Sequence, residues 1–153
     1  MGKSALLIID TQINMVDESF SGYDGDQILE LLSQLIDKAR KVDMQIIFMR
    51  NNGSVGEPDE PGTLGWHIHS SVSPKSTDLV IDKDSPDSFA GTELQAELDN
   101  RDITSIIIAG MQTEMCIATS VEEANKRGFE VTLVEDGQTT FDWDEISPVD
   151  TIK

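Results

Sequence analysis

Cys116 is the only cysteine in the chain, and its setting suits a nucleophile. The run Ile106-Ile107-Ile108-Ala109-Gly110-Met111-Gln112-Thr113-Glu114-Met115-Cys116 reads as an apolar strand, a glycine turn and the start of a helix. That reading puts the thiol in the first turn of a helix, just past a buried strand. Helix N-termini favour the thiolate, which is the nucleophilic form. A free thiol, with a pKa of about 8.5, is only partly ionised at neutral pH. An attacking cysteine therefore needs a base, a nearby cation, or both. Asp10 can take the proton, and Lys83 can stabilise the thiolate and hold Asp10 ionised. Thr113 reads as the N-cap of the helix. The backbone N–H groups of Gln112 and Cys116 can receive the oxygen of a tetrahedral intermediate. Plainer readings stand beside these. A lone cysteine often serves as a small core residue, an Asp after a strand as a turn residue, and a Lys as a solvated charge.

These residues need elements to bring them together. Short, β-branched apolar runs occur at Ala5–Ile9, Gln45–Met49, Leu79–Ile81, Ser105–Ala109 and Glu130–Val134. Continuous rather than alternating apolar runs indicate strands buried on both faces, as in a parallel sheet. Between them, Ile28, Leu31, Leu32, Leu35, Ile36, Ala39 and Val42 recur at helical steps. Leu94 and Leu98 mark a shorter helix from about Thr92. Ile117, Val121 and Ala124 mark another, which stops at Lys126-Arg127-Gly128. The order predicts a three-layer α/β/α fold with a mostly parallel, Rossmann-like sheet of about five to six strands. Ligands in such folds bind outside the carboxyl ends of the strands. By that rule Asp10, then Arg50, Asn51 and Asn52, then Asp82 and Lys83, the turn to Cys116, and finally Glu135 and Asp136 share one edge of the sheet.

Composition narrows the function. The 153 residues suit one domain, taken as 1–153. With 29 acidic and 11 basic residues the formal net charge is −18, which argues against nucleic acid or an anionic membrane as partner. The longest apolar runs are far short of a membrane span, and no signal peptide is expected. A single cysteine excludes an internal disulfide and fits a reducing cytoplasm. The one long loop-like stretch, Asn51 to Gly65, has the composition of a lid or binding loop.

The motifs together resemble the isochorismatase-like cysteine hydrolases. Ala5-Leu6-Leu7-Ile8-Ile9-Asp10-Thr11-Gln12 is similar to that family's opening motif. Lys83 with Ser88-Phe89-Ala90-Gly91-Thr92 resembles its lysine followed by Ser-Ala-Phe-x-Gly-Thr. Gly110-Met111-Gln112-Thr113-Glu114-Met115-Cys116 resembles its Gly-x-x-Thr-x-x-Cys nucleophile motif. Gly128-Phe129-Glu130-Val131, Glu135-Asp136-Gly137, Gly62-Thr63 and Ile68-His69 match further elements. The resemblance implies a catalytic triad of Asp10, Lys83 and Cys116 that cleaves a small amide or related C–N bond through a thioester. Asp10 would pass the proton to the leaving amine and later activate water. It also implies a cis peptide at Met111–Gln112, turning the Gln112 N–H toward the oxyanion, and a homo-oligomer.

Departures from the family pattern refine this expectation. Nicotinamidases of the family bind a metal through an Asp-x-His element and a second histidine. Here Arg50-Asn51-Asn52-Gly53 stands in that place, and the only histidines are His67 and His69. No metal and no cofactor are expected. Members that hydrolyse isochorismate lack the cysteine, so Cys116 argues against that branch. Phe20, Trp66, His69 and Phe89 are expected around a pocket for a small-molecule substrate, although Trp66 and Phe89 also suit a core or subunit contact. Relatives usually continue with another helix and a last edge strand, whereas Asp144–Lys153 stops where that helix would begin. The alternative from a different class is a non-catalytic or redox-sensing protein that uses Cys116 as an oxidisable thiol.

Overall fold

In a computed structural model, residues 2–17, 25–110 and 114–134 are described. Five strands run parallel: β1 (Lys3–Ile9), β2 (Gln45–Asn51), β3 (Leu79–Lys83), β4 (Ile103–Gly110) and β5 (Glu130–Leu133). Their order across the sheet is β3-β2-β1-β4-β5. The helices are α1 (Ile13–Val16), α2 (Asp26–Lys41), α3 (Leu94–Asn100) and α4 (Glu114–Lys126), with short 3-10 turns at Leu64–Trp66 and Ser70–Val72. The expected parallel sheet with helices on both faces is the observed architecture.

Alternate side chains of each strand point to opposite faces, and both faces are apolar. Leu6, Ile8, Ile46, Phe48, Ile107 and Ala109 pack against the Ile28, Leu32, Leu35, Ile36 and Ala39 stripe of α2. Ala5, Leu7, Ile9, Ile47, Met49, Ile106 and Ile108 face Leu94 and Leu98 of α3 and Val121 and Ala124 of α4. Continuous apolar strands are thus the signature of a sheet covered on both sides.

Several boundaries differ from the sequence reading, for one physical reason. The apolar runs mark only the part of each strand that lies under a helix. Backbone pairing continues past them, so Arg50 and Asn51 belong to β2 and Asp82 and Lys83 to β3, in register Arg50↔Asp82 and Asn51↔Lys83. These residues stand within the strand ends rather than after them. Helix α3 likewise begins at Leu94, because Thr92 uses its hydroxyl to bond back to Ser88 O at 2.6 Å. The described residues hold five of the expected five to six strands, and the region from Glu135 onward lies outside them.

Counting outward from β1, the chain winds one way to β2 and β3 and the other way to β4 and β5. Strands β1 and β4 are therefore the point where the winding reverses, which is where doubly wound sheets open a ligand crevice. Gly110 ends β4 beside Ile9 with φ 142, and a Cβ there would lie 2.1 Å from Ile9 O. Only glycine lets the two strand ends approach so closely.

Candidate active site

Asp10, Lys83 and Cys116 converge at this reversal point from three separate elements. Asp10 follows β1 with φ 55, a left-handed conformation that is uncommon outside glycine but best tolerated by Asp and Asn. Its amide donates to Met49 O at 3.1 Å, and the residue is 3% exposed. Lys83 ends β3, two strand spacings or about 10 Å from β1. A long side chain is needed to cross the end of β2, and Lys83 makes that crossing almost wholly buried, at 1% exposure. Cys116 is the third residue of α4 and is partly exposed.

The ammonium of Lys83 is the hub. Its Nζ lies 3.4 Å from each Asp10 oxygen and 3.7 Å from Cys116 Sγ. It also donates to Ser85 O at 3.2 Å and to Asn51 Oδ1 at 3.4 Å. Burial pushes the Asp10 carboxyl above its ordinary 3.8. The Lys83 charge and hydrogen bonds from Cys116 and Lys83 pull the other way, and the charge of Asp59 adds to the rise. Desolvation therefore outweighs the ion pair, so the carboxyl holds its proton more readily than a free aspartate.

The surrounding polar residues have structural roles that the motifs containing Gln12 and Ser88 did not assign. Gln12 is fully buried and acts as a three-point clamp. Its Nε2 donates to Asn51 O at 2.8 Å and Trp66 O at 2.9 Å, while its Oε1 accepts from Asn51 N at 2.8 Å. Residues 11–13 also pair with 67–69, through Ile13 N to His67 O and His69 N to Thr11 O, both at 2.9 Å. The exit of β1 is thereby tied to the end of β2 and to the loop after it. A glutamine following an apolar strand and an Asp was the available signal for this clamp. On the other side, Ser88 and Ser120 are wholly buried with their hydroxyls 2.8 Å apart. Ser120 lies one turn beyond Cys116 on α4, and its hydroxyl also accepts from Ser88 N at 3.3 Å and donates to Pro86 O at 3.4 Å. The loop after Lys83 is thus joined to the helix that carries the thiol.

The four residues expected around a pocket fare differently. Trp66 is half-buried near the site, with Nε1 donating to Asn52 Oδ1 at 2.9 Å and the Arg50 guanidinium 3.6 Å above its ring. Arg50 in turn forms a two-pronged pair with Asp82, at 2.7 and 3.3 Å. His69 uses Nδ1 to accept from Ser71 N at 3.1 Å, capping a 3-10 turn. Phe89 departs from the pocket expectation: it is 5% exposed and stacked on Phe129 at 6.1 Å, because the loop after β3 folds its aromatic residue into the core. Phe20, Gln112, Thr113 and the Met111–Gln112 peptide lie outside the described residues.

The described residues do not fit a metal. Among the described residues no three His, Cys, Asp or Glu side chains converge. Where nicotinamidases of the family have Asp-x-His, the Asn51 amide binds Lys83 and Asp59, and Asn52 binds Trp66 and Asp84.

Comparison with known proteins settles the family. A family profile described as the isochorismatase domain matches residues 4–146. The chain belongs to the isochorismatase domain family. It is 33% identical over 138 residues to a streptothricin hydrolase of Streptomyces noursei, covering 90% of this chain and 55% of that protein. It is 27% identical to nicotinamidase 3 of Arabidopsis thaliana, covering 90% of this chain and 74% of that one. The crystal structure of an isochorismatase from Pseudomonas putida KT2440 superposes with a TM-score of 0.79 at 30% identity, covering 87% and 69% of the two chains. This chain spans about half the length of the streptothricin hydrolases it matches. No helix among the described residues is long and apolar enough to cross a membrane.

Proposed function

We propose that this domain is a cysteine hydrolase that cleaves a small amide or related C–N bond, with Cys116 as nucleophile, Asp10 as proton carrier and Lys83 as the charge that holds both. The observation that carries the reading is the buried Lys83 ammonium within 3.4 Å of Asp10 and 3.7 Å of Cys116. Relatives named streptothricin hydrolase and nicotinamidase support hydrolysis as the reaction class.

In this reading the Cys116 proton passes to Asp10, and the sulfur forms a bond to the substrate carbonyl carbon. The carbonyl electrons move to oxygen. The Cys116 N–H lies in the first turn of α4, where helix amides lack an intrahelical acceptor, and with the Gln112 N–H it receives that oxygen. The C–N bond then breaks as Asp10 returns its proton to the leaving nitrogen, leaving a thioester. Asp10 next takes a proton from water, the hydroxide adds to the thioester carbonyl carbon, the C–S bond breaks, and the proton returns from Asp10 to the Cys116 sulfur as the acid leaves. One water is consumed for each amide cleaved. A carboxyl raised above its ordinary range suits a group that must both accept and return a proton near neutral pH.

The test is release of ammonia or amine from a panel of small amides and ureides, beside Cys116→Ala. The wild type should turn over at least one member, and the variant should fold and lose at least about 10³-fold in kcat/KM. Equal turnover by the variant, or none by the wild type, sinks the proposal. A redox-sensing thiol would instead show peroxide modification of Cys116 with no hydrolysis, and it has no need of the buried Asp10–Lys83 pair.

A further inference from the structure

Asp59 lies in the loop between β2 and the first 3-10 turn, half-buried, and no part of the hydrolytic scheme uses it. The loop builds it into place. Gly53 N donates to Asp59 O at 2.8 Å, and a Cβ on Gly53 would sit 1.8 Å from Asp59 Oδ1, so glycine makes the room for this carboxylate. Asp59 Oδ2 accepts from Asn51 Nδ2 at 2.7 Å. The oxygen of the same amide accepts from Lys83 Nζ at 3.4 Å. The backbone of Asn51 is meanwhile pinned on both its N–H and its C=O by Gln12.

The chemistry of these groups allows one orientation only. A carboxylate accepts and cannot donate, whereas an ammonium donates and cannot accept. An amide held between them must turn its NH₂ to Asp59 and its oxygen to Lys83. We propose that Asp59 is a positioning residue, which fixes the Asn51 amide so that its oxygen holds the Lys83 ammonium against Cys116 and Asp10. The inference rests on the hydrolase reading for its purpose. The groups facing Lys83 are Asp10 from the β1 end, Cys116 from α4, Asn51 from β2 and the Ser85 carbonyl, with Asp59 one amide further out.

The test reads the thiol directly and needs no substrate. Iodoacetamide alkylates the single cysteine, and its second-order rate constant at pH 7 reports the thiolate that Lys83 supports. Asp59→Ala and Asn51→Ala should each slow alkylation about ten-fold, the scale of one hydrogen bond to a charged group. The double variant should be no slower than the slower single one, because both act through one contact. Asp59→Asn keeps the shape and packing but can donate, which frees the Asn51 amide to flip, so it should fall with Asp59→Ala. Loss of a negative charge by itself would favour the thiolate and speed the reaction. Slowing therefore marks lost positioning and not a general field effect. Wild-type or faster alkylation in the two Asp59 variants, or losses that multiply in the double variant, overturns the inference. The hydrolase reading is judged separately on wild-type turnover. Coupled alkylation without turnover would remove the hydrolase and keep the positioning, while turnover with uncoupled alkylation would do the reverse.

Discussion

At the scale of single residues, the site balances one buried cation against one buried carboxyl and one thiol. The balance is uneven, since burial raises Asp10 despite the Lys83 charge. This has a consequence for stability that can be measured. A carboxyl whose folded pKa lies above its unfolded value makes the native state hold more protons over that interval. Its contribution is therefore intact below the unfolded value of 3.8 and is lost as pH rises through the raised folded value. Asp10→Asn cannot ionise. The wild type should accordingly lose stability relative to Asp10→Asn as pH climbs above about 4, read as the difference between their Tm curves. A constant difference would show that the ion pair balances desolvation, and an opposite one that it outweighs it.

At the scale of elements, the geometry of the candidate site depends on how α4 sits against the loop after β3. The Ser120 hydroxyl accepts from the Ser88 N–H and hydroxyl and donates to Pro86 O, which exhausts its capacity. That bond set fixes the same loop whose Ser85 carbonyl receives Lys83. Ser120→Ala strands these partners in the interior and should cost about 1–3 kcal/mol, seen as a lower urea midpoint at unchanged slope. An unmoved midpoint would show that the hydroxyl pair carries no net stabilisation.

At the scale of the whole molecule, the formal charge of −18 is the dominant feature. Charge far from zero destabilises the compact state through self-repulsion, and salt screens it. Raising sodium chloride from roughly 10 mM to 1 M shortens the Debye length from about 30 Å to about 3 Å and should raise Tm. A Tm that is flat or falling over that range would show that local pairs such as Arg40–Asp78 and Arg50–Asp82 already neutralise the field.

The sequence by itself determined the fold class, because continuous apolar runs alternating with helical stripes can be buried only in a sheet covered on both faces. It also put Asp10, Lys83 and Cys116 on one edge, because the carboxyl ends of parallel strands share that edge. Tertiary structure alone decided the rest. Lys83 reaches Asp10 only because β3 lies two strands away and its side chain crosses the end of β2 at Asn51. The contacts of Asn51, Asp59 and Ser120 are hydrogen bonds between residues 8 to 32 positions apart, for which no local pattern exists. Phe89 was legible as an aromatic residue within a motif that suited either a pocket or the core, and packing against Phe129 places it in the core. Periodicity reports which face is buried, whereas the partner of a polar side chain is decided by the fold as a whole.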